Sequence, residues 1–584
     1  MKEKIAPLDG LVTPTVVDGV PLLLASKTGP VTGGICFRVG YADEALPVAG
    51  ITHLVEHLAL HGSDLADQHS NGHTTEQWTY FHATGTSEEV VTFLNDVCAG
   101  LRNLPTGRID TEKSILRTEA SRGGRGGIHS AMRTWRYGAR GPGLIGQDEE
   151  GLFRIGAAEV EEWARTWFTS GNAVAFLTLD EVPETLSLEL PPGGRRPVAL
   201  PPETLPSKPA WFCGGFDGIV LDAMVRRSMA AHVFSGVATR VLMRELRRDQ
   251  GLSYDAGCSY DRIDAAHARL TIYADALEEK SGVVVSVVAE ILAGMRAGQI
   301  DQADVDAIRK QLRAETDIPD LGAAMLASTA IGLLLDADVF DPRDSSELER
   351  VTVEDVAAVA RELWSDALIS IPGGHGFGGA SRAPHLSESA VEGTVFASLV
   401  RDGHELIIGA DGVSRSMPGS VVTVRFDALA AMVAVPDGAR RLIAEDALAV
   451  VVEPTLWKGL STEIVKRDID SRVPAGLVLP YPARAAEVVP EPPKRPARQD
   501  ADPSRAASGW TGFGPWAAWT ALIVFIAAFI GTLPALIGAY ELMVGDPAGE
   551  DLAITVVWIG ITILLWILGA GLGAGVRRRI KLGE

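Results

Sequence analysis

The sequence predicts an α+β protein built from two α/β halves of one kind, a small β-rich domain and a pair of apolar carboxy-terminal helices. Three observations carry this prediction. Residues 1–190 and 208–375 each combine short apolar strand-like runs with helical patterns, and the second stretch looks like another copy of the first. Residues 390–460 hold short strand candidates with Asp-Gly turns. Two long uncharged stretches lie near the end of the chain. At 584 residues the chain is several times longer than one domain.

In the first half, Gly34–Glu44 reads as a strand followed by a polar turn. Pro47–Thr52 then leads into a helix carrying His53-Leu-Val-Glu56-His57. On a helix, His53 and His57 share a face one turn apart, so both rings can hold one Zn²⁺. Glu56 lies near the same face, where it reaches a water at the metal and takes its proton as the water attacks a peptide carbonyl. Leu54, Val55, Leu58 and Leu60 make the helix a buried one. A buried histidine pair beside a glutamate needs partners, and a metal is the simplest. In the next helical stretch, Asp110–Arg122, Glu112 and Glu119 are two turns apart and share a face. In isolation that face reads as a solvated acidic surface.

The order His53-x-x-Glu56-His57, followed by Glu112-x6-Glu119, resembles the pitrilysin-type (inverzincin) zinc metallopeptidases, closest to the processing-peptidase-like members. The resemblance extends along the chain. Val17–Leu24 looks like the family's opening strand, and Phe37–Glu44 like its strand and turn. Asn71–Tyr80 looks like its substrate-edge segment. Gly151–Gly156, Val160–Phe168 and Asn172–Leu177 look like its late loop, helix and closing strand. The resemblance implies His53, His57 and Glu119 as ligands of one zinc ion, Glu56 as general base, and Glu112 as a carboxylate that orients a ligand. The stretch between His57 and Glu119 is shorter than usual for the family, which implies a trimmed helix–loop region. An exchange of roles between Glu112 and Glu119 stays open.

In the second half, Phe234–Arg247 reads as a helix, followed by Gly251-Leu-Ser-Tyr254 and a strand over Ala256–Tyr260. The resemblance implies that Arg247 and Tyr254 face the zinc site and, with Asn71, bind substrate. An Arg can hold a substrate carbonyl and a Tyr hydroxyl can stabilise an oxyanion. No His-x-x-Glu-His occurs in this half, so one half carries the metal and the other closes over a peptide or unfolded substrate. The Pro-rich stretch 190–209 reads as the linker between them. The family further implies a clamshell that dimerises, with itself or with an inactive paralogue.

A net charge of −22 argues against nucleic-acid binding. Cys36, Cys98, Cys213 and Cys258 are scattered without metal or disulfide spacing and read as reduced, mostly core residues. Met1–Pro7 has no apolar core, so no signal peptide is expected. The 390–460 region is vaguely similar to pleckstrin-homology-like modules, which implies docking or regulation. Residues 474–509 read as a solvated Pro-rich linker. The uncharged runs Ala506–Tyr540 and Leu552–Val576 are each long enough to cross a bilayer, giving a transmembrane hairpin over 510–576. The basic tail Arg577–Lys581 orients that hairpin, and the catalytic region with it, toward the cytoplasm. The expected activity is that of a membrane-anchored zinc endopeptidase. The alternative is a catalytically silent scaffold of the same fold.

Overall fold

The first half opens on a hairpin. β1 (Thr13–Val17) and β2 (Val20–Leu24) are antiparallel, joined by Asp18 and Gly19 at φ 49° and 82°. Two left-handed residues make the turn whose twist matches paired strands. Val17–Leu24, expected as one opening strand, is therefore cut at its Asp-Gly pair. β3 (Val31–Phe37), β4 (Ser70–Thr74), β5 (Thr79–Gly85) and β6 (Ala173–Leu177) complete a six-stranded sheet of order β1-β2-β6-β3-β5-β4. The computed structural model describes residues 5–492, apart from 62–69, 123–126, 250, 338, 340, 342, 374 and 375.

The second half repeats this plan. β7 (Ala210–Cys213), β8 (Ile219–Arg226), β9 (Ala256–Arg262), β10 (His267–Ala274), β11 (Leu368–Ile371) and β12 (Ser381–Arg382) form a sheet of order β12-β7-β11-β8-β10-β9. Without the outermost β1 and β12, both sheets run first, fifth, second, fourth, third. In both, the first and fifth strands are the parallel pair.

The helices repeat as well. α1 (Ile51–Leu60) follows β3; α2 (Ser87–Arg102), α3 (Ile109–Arg122), α4 (Gly127–Tyr137) and α5 (Ala157–Trp167) lie between β5 and β6. α6 (Met229–Leu242) follows β8; α7 (Ser281–Arg296), α8 (Gln302–Thr316), α9 (Leu321–Leu334), α10 (Ser346–Arg350) and α11 (Val353–Asp366) lie between β10 and β11. The expected helix Phe234–Arg247 differs in its last turns. α6 stops at Leu242, and Met243–Asp249 continues as a wider π-helix, held by the Leu252 N–H donating to the Leu246 carbonyl at 2.7 Å.

Apolar burial explains why the halves form one unit. Leu54, Val55 and Leu58 of α1, Val90 and Leu94 of α2, and Val160 of α5 cover one face of the first sheet. The opposite face is covered by the other half: Leu326, Ala330 and Leu333 of α9 pack on Leu23, Cys36, Val174 and Phe176. Reciprocally, Met132 of α4 packs on Phe212, Val220 and Leu368 of the second sheet. Each half thus lends one helix to its neighbour's core.

A buried ionic hub lies where the halves meet. Arg136 of α4 donates to Asp222 of β8 at 2.8 Å and to Asp366 at 3.1 Å. Arg133 pairs with the same fully buried Asp222, and Arg269 of β10 grips Glu76 with bonds of 2.9 and 3.0 Å. Glu203 and Lys208, within the expected 190–209 linker, join the hub through Arg136 and through each other. Part of that linker is therefore pinned by charge.

The small domain has two four-stranded sheets. β13 (Gly393–Ala397), β14 (Glu405–Gly409), β15 (Gly412–Met417) and β16 (Ser420–Arg425) form an antiparallel meander. β17 (Leu429–Ala434), β18 (Arg440–Ala444), β19 (Ala449–Val452) and β20 (Val478–Pro480) form the second, in the order β19-β18-β17-β20. One core joins both sheets to α12 (Thr462–Asp468), through Leu406, Val424, Leu442, Val450 and Val465. β20 falls inside the stretch expected as a solvated linker, 474–509. It pairs in parallel with β17, and Arg484 beyond it is held by Asp437 and Glu453. The domain therefore runs past 460, and the linker cannot begin before these residues. The apolar runs over 510–576 lie outside the described residues. No single helix among the described residues is long and apolar enough to cross a membrane.

Of the cysteines, Cys36 and Cys98 are buried as expected, Cys258 is half-buried, and Cys213 is exposed. Cys213 ends β7, where its side chain leaves the core.

Candidate metal centre

α1 is preceded by Gly50, whose φ of +94° is costly for any side-chain-bearing residue. Glu44 caps the helix: its carboxylate accepts the N–H groups of Gly50 and Thr52, each at 2.8 Å. Burial pushes the Glu44 carboxyl up to about 7, against the pull of those hydrogen bonds. Trp163 of α5 donates to the Thr52 hydroxyl at 3.1 Å, fixing the first turn from the other side.

His53 follows Thr52 directly and His57 lies one turn further; the two rings stand edge to face with centroids 4.9 Å apart. Each ring has a carboxylate on its Nδ1 side. His53 Nδ1 is 3.2 Å from Glu149, which is almost fully buried, and His57 Nδ1 is 3.5 Å from Glu112. Glu112 is held in turn by Arg108 at 3.0 Å. Each Nε2 then faces Glu119, 3.8 Å from its Oε2 in both cases. The three donor atoms of His53, His57 and Glu119 lie within 4.8 Å of one another. Tetrahedral zinc with bonds near 2.1 Å sets its ligand atoms about 3.4 Å apart, so a small contraction closes this group on an ion. Carboxylates on the far ring nitrogens are the outer partners that zinc-bound histidines use. The donor set therefore fits zinc. Glu119, half exposed, faces both Nε2 atoms, and Glu112 sits behind His57.

Glu56 points from α1 toward β4. Its Oε2 accepts the Thr74 hydroxyl at 2.5 Å. Gly72 lies directly over it, where a Cβ would come within 2.6 Å of Oε1. The close approach needs glycine. Asn71 is exposed on the same strand, its Oδ1 accepting the Gly72 N–H at 2.8 Å. β4 pairs only with β5, so its outer edge has no strand partner among the described residues. The chain continues into Thr75–Trp78, one wall of a cavity of about 680 Å³ that His129, Tyr260 and Arg262 also line.

Arg247 and Tyr254 come together, but apart from this group. The Arg247 guanidinium lies over the Tyr254 ring at 5.1 Å, and Tyr254 is 77% exposed. Among the described residues no hydrogen bond or ion pair joins either to the metal group. Sequence reasoning missed Glu44, Glu149 and Thr74 as site residues. Glu149 sits in the acidic run Asp148–Glu150, but nothing in its spacing ties it to His53.

Residues 154–312 match the family model described as the Peptidase M16 inactive domain. No curated protein matches the sequence. Among solved structures, the periplasmic protease PqqL from Escherichia coli is similar at TM-score 0.52 and 12% identity, covering 75% of this chain and 56% of that one. A chain of Candida albicans complex III2, with Inz-5 bound, is similar at TM-score 0.52 and 12% identity, covering 62% of this chain and 95% of that one. A peptidase M16 inactive domain from Pseudomonas fluorescens is similar at TM-score 0.51 and 15% identity, covering 64% of this chain and 100% of that one. At such identities the likeness is one of fold. The pitrilysin-type resemblance is thus borne out at the level of architecture: the chain has the α+β fold of the M16-like peptidases, with a match to their inactive domain over residues 154–312.

Proposed function

We propose that the chain is a zinc-dependent endopeptidase with one zinc ion per chain, held by His53, His57 and Glu119. The observation that carries this reading is the convergence of those three donors, each ring backed by its own carboxylate. Zinc there supplies Lewis acidity toward the scissile carbonyl and the attacking water. Glu56 takes the proton of that water and passes it to the leaving amine. Thr74 holds one Glu56 oxygen in place, and Gly72 gives the backbone of β4 room to lie against the carboxylate. An extended peptide or unfolded segment adds as a strand along the outer edge of β4, past Asn71. Arg247 and Tyr254 serve the substrate side. The apolar runs over 510–576 anchor the chain in a membrane with the catalytic region facing the cytoplasm, and a second copy or an inactive paralogue completes the enzyme.

The scaffold reading has one observation in its favour. The family-model match is to an inactive domain and contains none of the metal-group residues. Zinc content and cleavage of a mixed peptide library, for wild type and Glu56→Gln, separate the two. Stoichiometric zinc in both proteins, with cleavage reduced about 10²–10⁴-fold in the variant, is expected. Absence of zinc from the wild type leaves the scaffold.

A further inference from the structure

The small β-domain touches the metal centre's supports. Glu149, on His53, is followed by Glu150, which is 4% exposed. Glu150 Oε1 accepts the Tyr481 hydroxyl at 2.9 Å and pairs with Arg441 of β18, while its Oε2 has no hydrogen-bond partner. The Tyr481 ring also packs on Phe153 at 4.3 Å. The same sheet underlies the other support: Ala431, Val433, Ile443 and Leu479 pack on Tyr41, Leu46 and Ala49, the segment that carries Glu44 to the start of α1. Gly50 ties the two segments together, since a Cβ on it would meet Glu149 Cβ at 2.9 Å.

We propose that the β17–β20 sheet is a working part of the metal centre, with Arg441 and Tyr481 as positioning residues. They hold Glu150, and through it set the Glu149 carboxylate against His53. The physical case is that a buried carboxylate stays buried only while its charge is met. The donors that meet it come from the β-domain. Without them the Glu149–Phe153 turn shifts toward solvent, and the 3.2 Å contact that orients the His53 ring goes with it. Metal affinity is then coupled to the seating of a domain that contributes no ligand.

This inference rests on zinc binding at His53, His57 and Glu119. Its test is chelator competition for zinc on the full chain, with metal-free unfolding followed in parallel to confirm folding. Glu149→Gln is expected to weaken zinc about 10–100-fold. Tyr481→Phe, which keeps the ring on Phe153, and Arg441→Gln are each expected to weaken it about tenfold, with no further loss when combined with Glu149→Gln. Glu445→Gln is the control. It removes the 2.7 Å pair with Arg140 elsewhere on the same interface and is expected to leave zinc affinity unchanged. Wild-type affinity in Tyr481→Phe, full additivity with Glu149→Gln, or an equal loss in Glu445→Gln overturns the coupling. A wild type that binds no zinc overturns the metal reading and this inference together.

Discussion

The two halves share one strand order and one helix plan, yet they fill the same seam differently. In the first half, α1 and α3 meet across imidazoles and carboxylates, with His57 beside Glu112 and both rings 3.8 Å from Glu119. In the second, α6 and the π-helical turn after it meet α8 across arginines and one buried aspartate: Arg240 and Arg244 reach Asp304 at 2.7 and 3.0 Å. A guanidinium and a carboxylate satisfy each other. Two imidazoles aimed at a carboxylate leave a gap that a cation fills. The fold supplies a polar seam between two helices, and the residues placed there decide whether it is a brace or a set of donors that could hold a cation.

The comparison can be broken first at the hub that makes two halves one unit. Asp222→Asn leaves Arg133 and Arg136 without their buried partner and is expected to cost about 3–5 kcal/mol in urea unfolding. Burial pushes Asp222 up, but Arg136, Arg133 and Arg269 outweigh it and hold the carboxyl below its ordinary range. A lowered folded pKa gives stabilisation that is present above the unfolded value near 3.9 and is lost as pH falls through the folded value. The gap between wild type and Asp222→Asn is therefore expected to narrow below about pH 4. Unchanged stability at neutral pH would mean that the halves are joined by apolar packing alone.

The brace itself comes next. Asp304→Asn should cost about 1.5–3 kcal/mol, the worth of charge-assisted hydrogen bonds, and leave zinc content unchanged. Loss of zinc would show that the second half shapes the first half's site. The smallest effects compare the third strand of each sheet. Gly72→Ala forces a methyl onto Glu56 and is expected to cost about 1–3 kcal/mol, with cleavage falling further than zinc content. Gly257→Ala on β9 meets the end of the half-buried Tyr273 ring, its hydroxyl at 3.1 Å and Cζ at 3.3 Å, and is expected to cost less than about 1 kcal/mol. Equal costs would remove the argument that β4 is shaped around Glu56.

Local pattern made much of this legible. His53, Glu56 and His57 lie within one helical turn and a half, so their common face follows from helix geometry alone. Glu112 and Glu119 are also on one helix, but their approach to the histidines depends on how α3 packs on α1. Tertiary partners carried no such signal. Glu149 reaches His53 from 96 positions away. β20 is three residues long and exists because β17 offers it an edge. The opening hairpin was readable from Asp18-Gly19, whose turn chemistry outweighs the apolar run after it.

By itself, then, the sequence determined the α+β character, the two halves, the helix that carries His53, Glu56 and His57, and the small β-domain, because helix period, strand alternation and turn residues act over a few positions. Tertiary structure alone decided that α4 and α9 are exchanged between the halves, that Arg247 and Tyr254 stack on each other, and that the buried Glu150 pairs with Arg441 and Tyr481 of the β-domain. Those outcomes depend on which buried apolar faces and charges find partners across hundreds of residues, and local pattern carries no record of that choice.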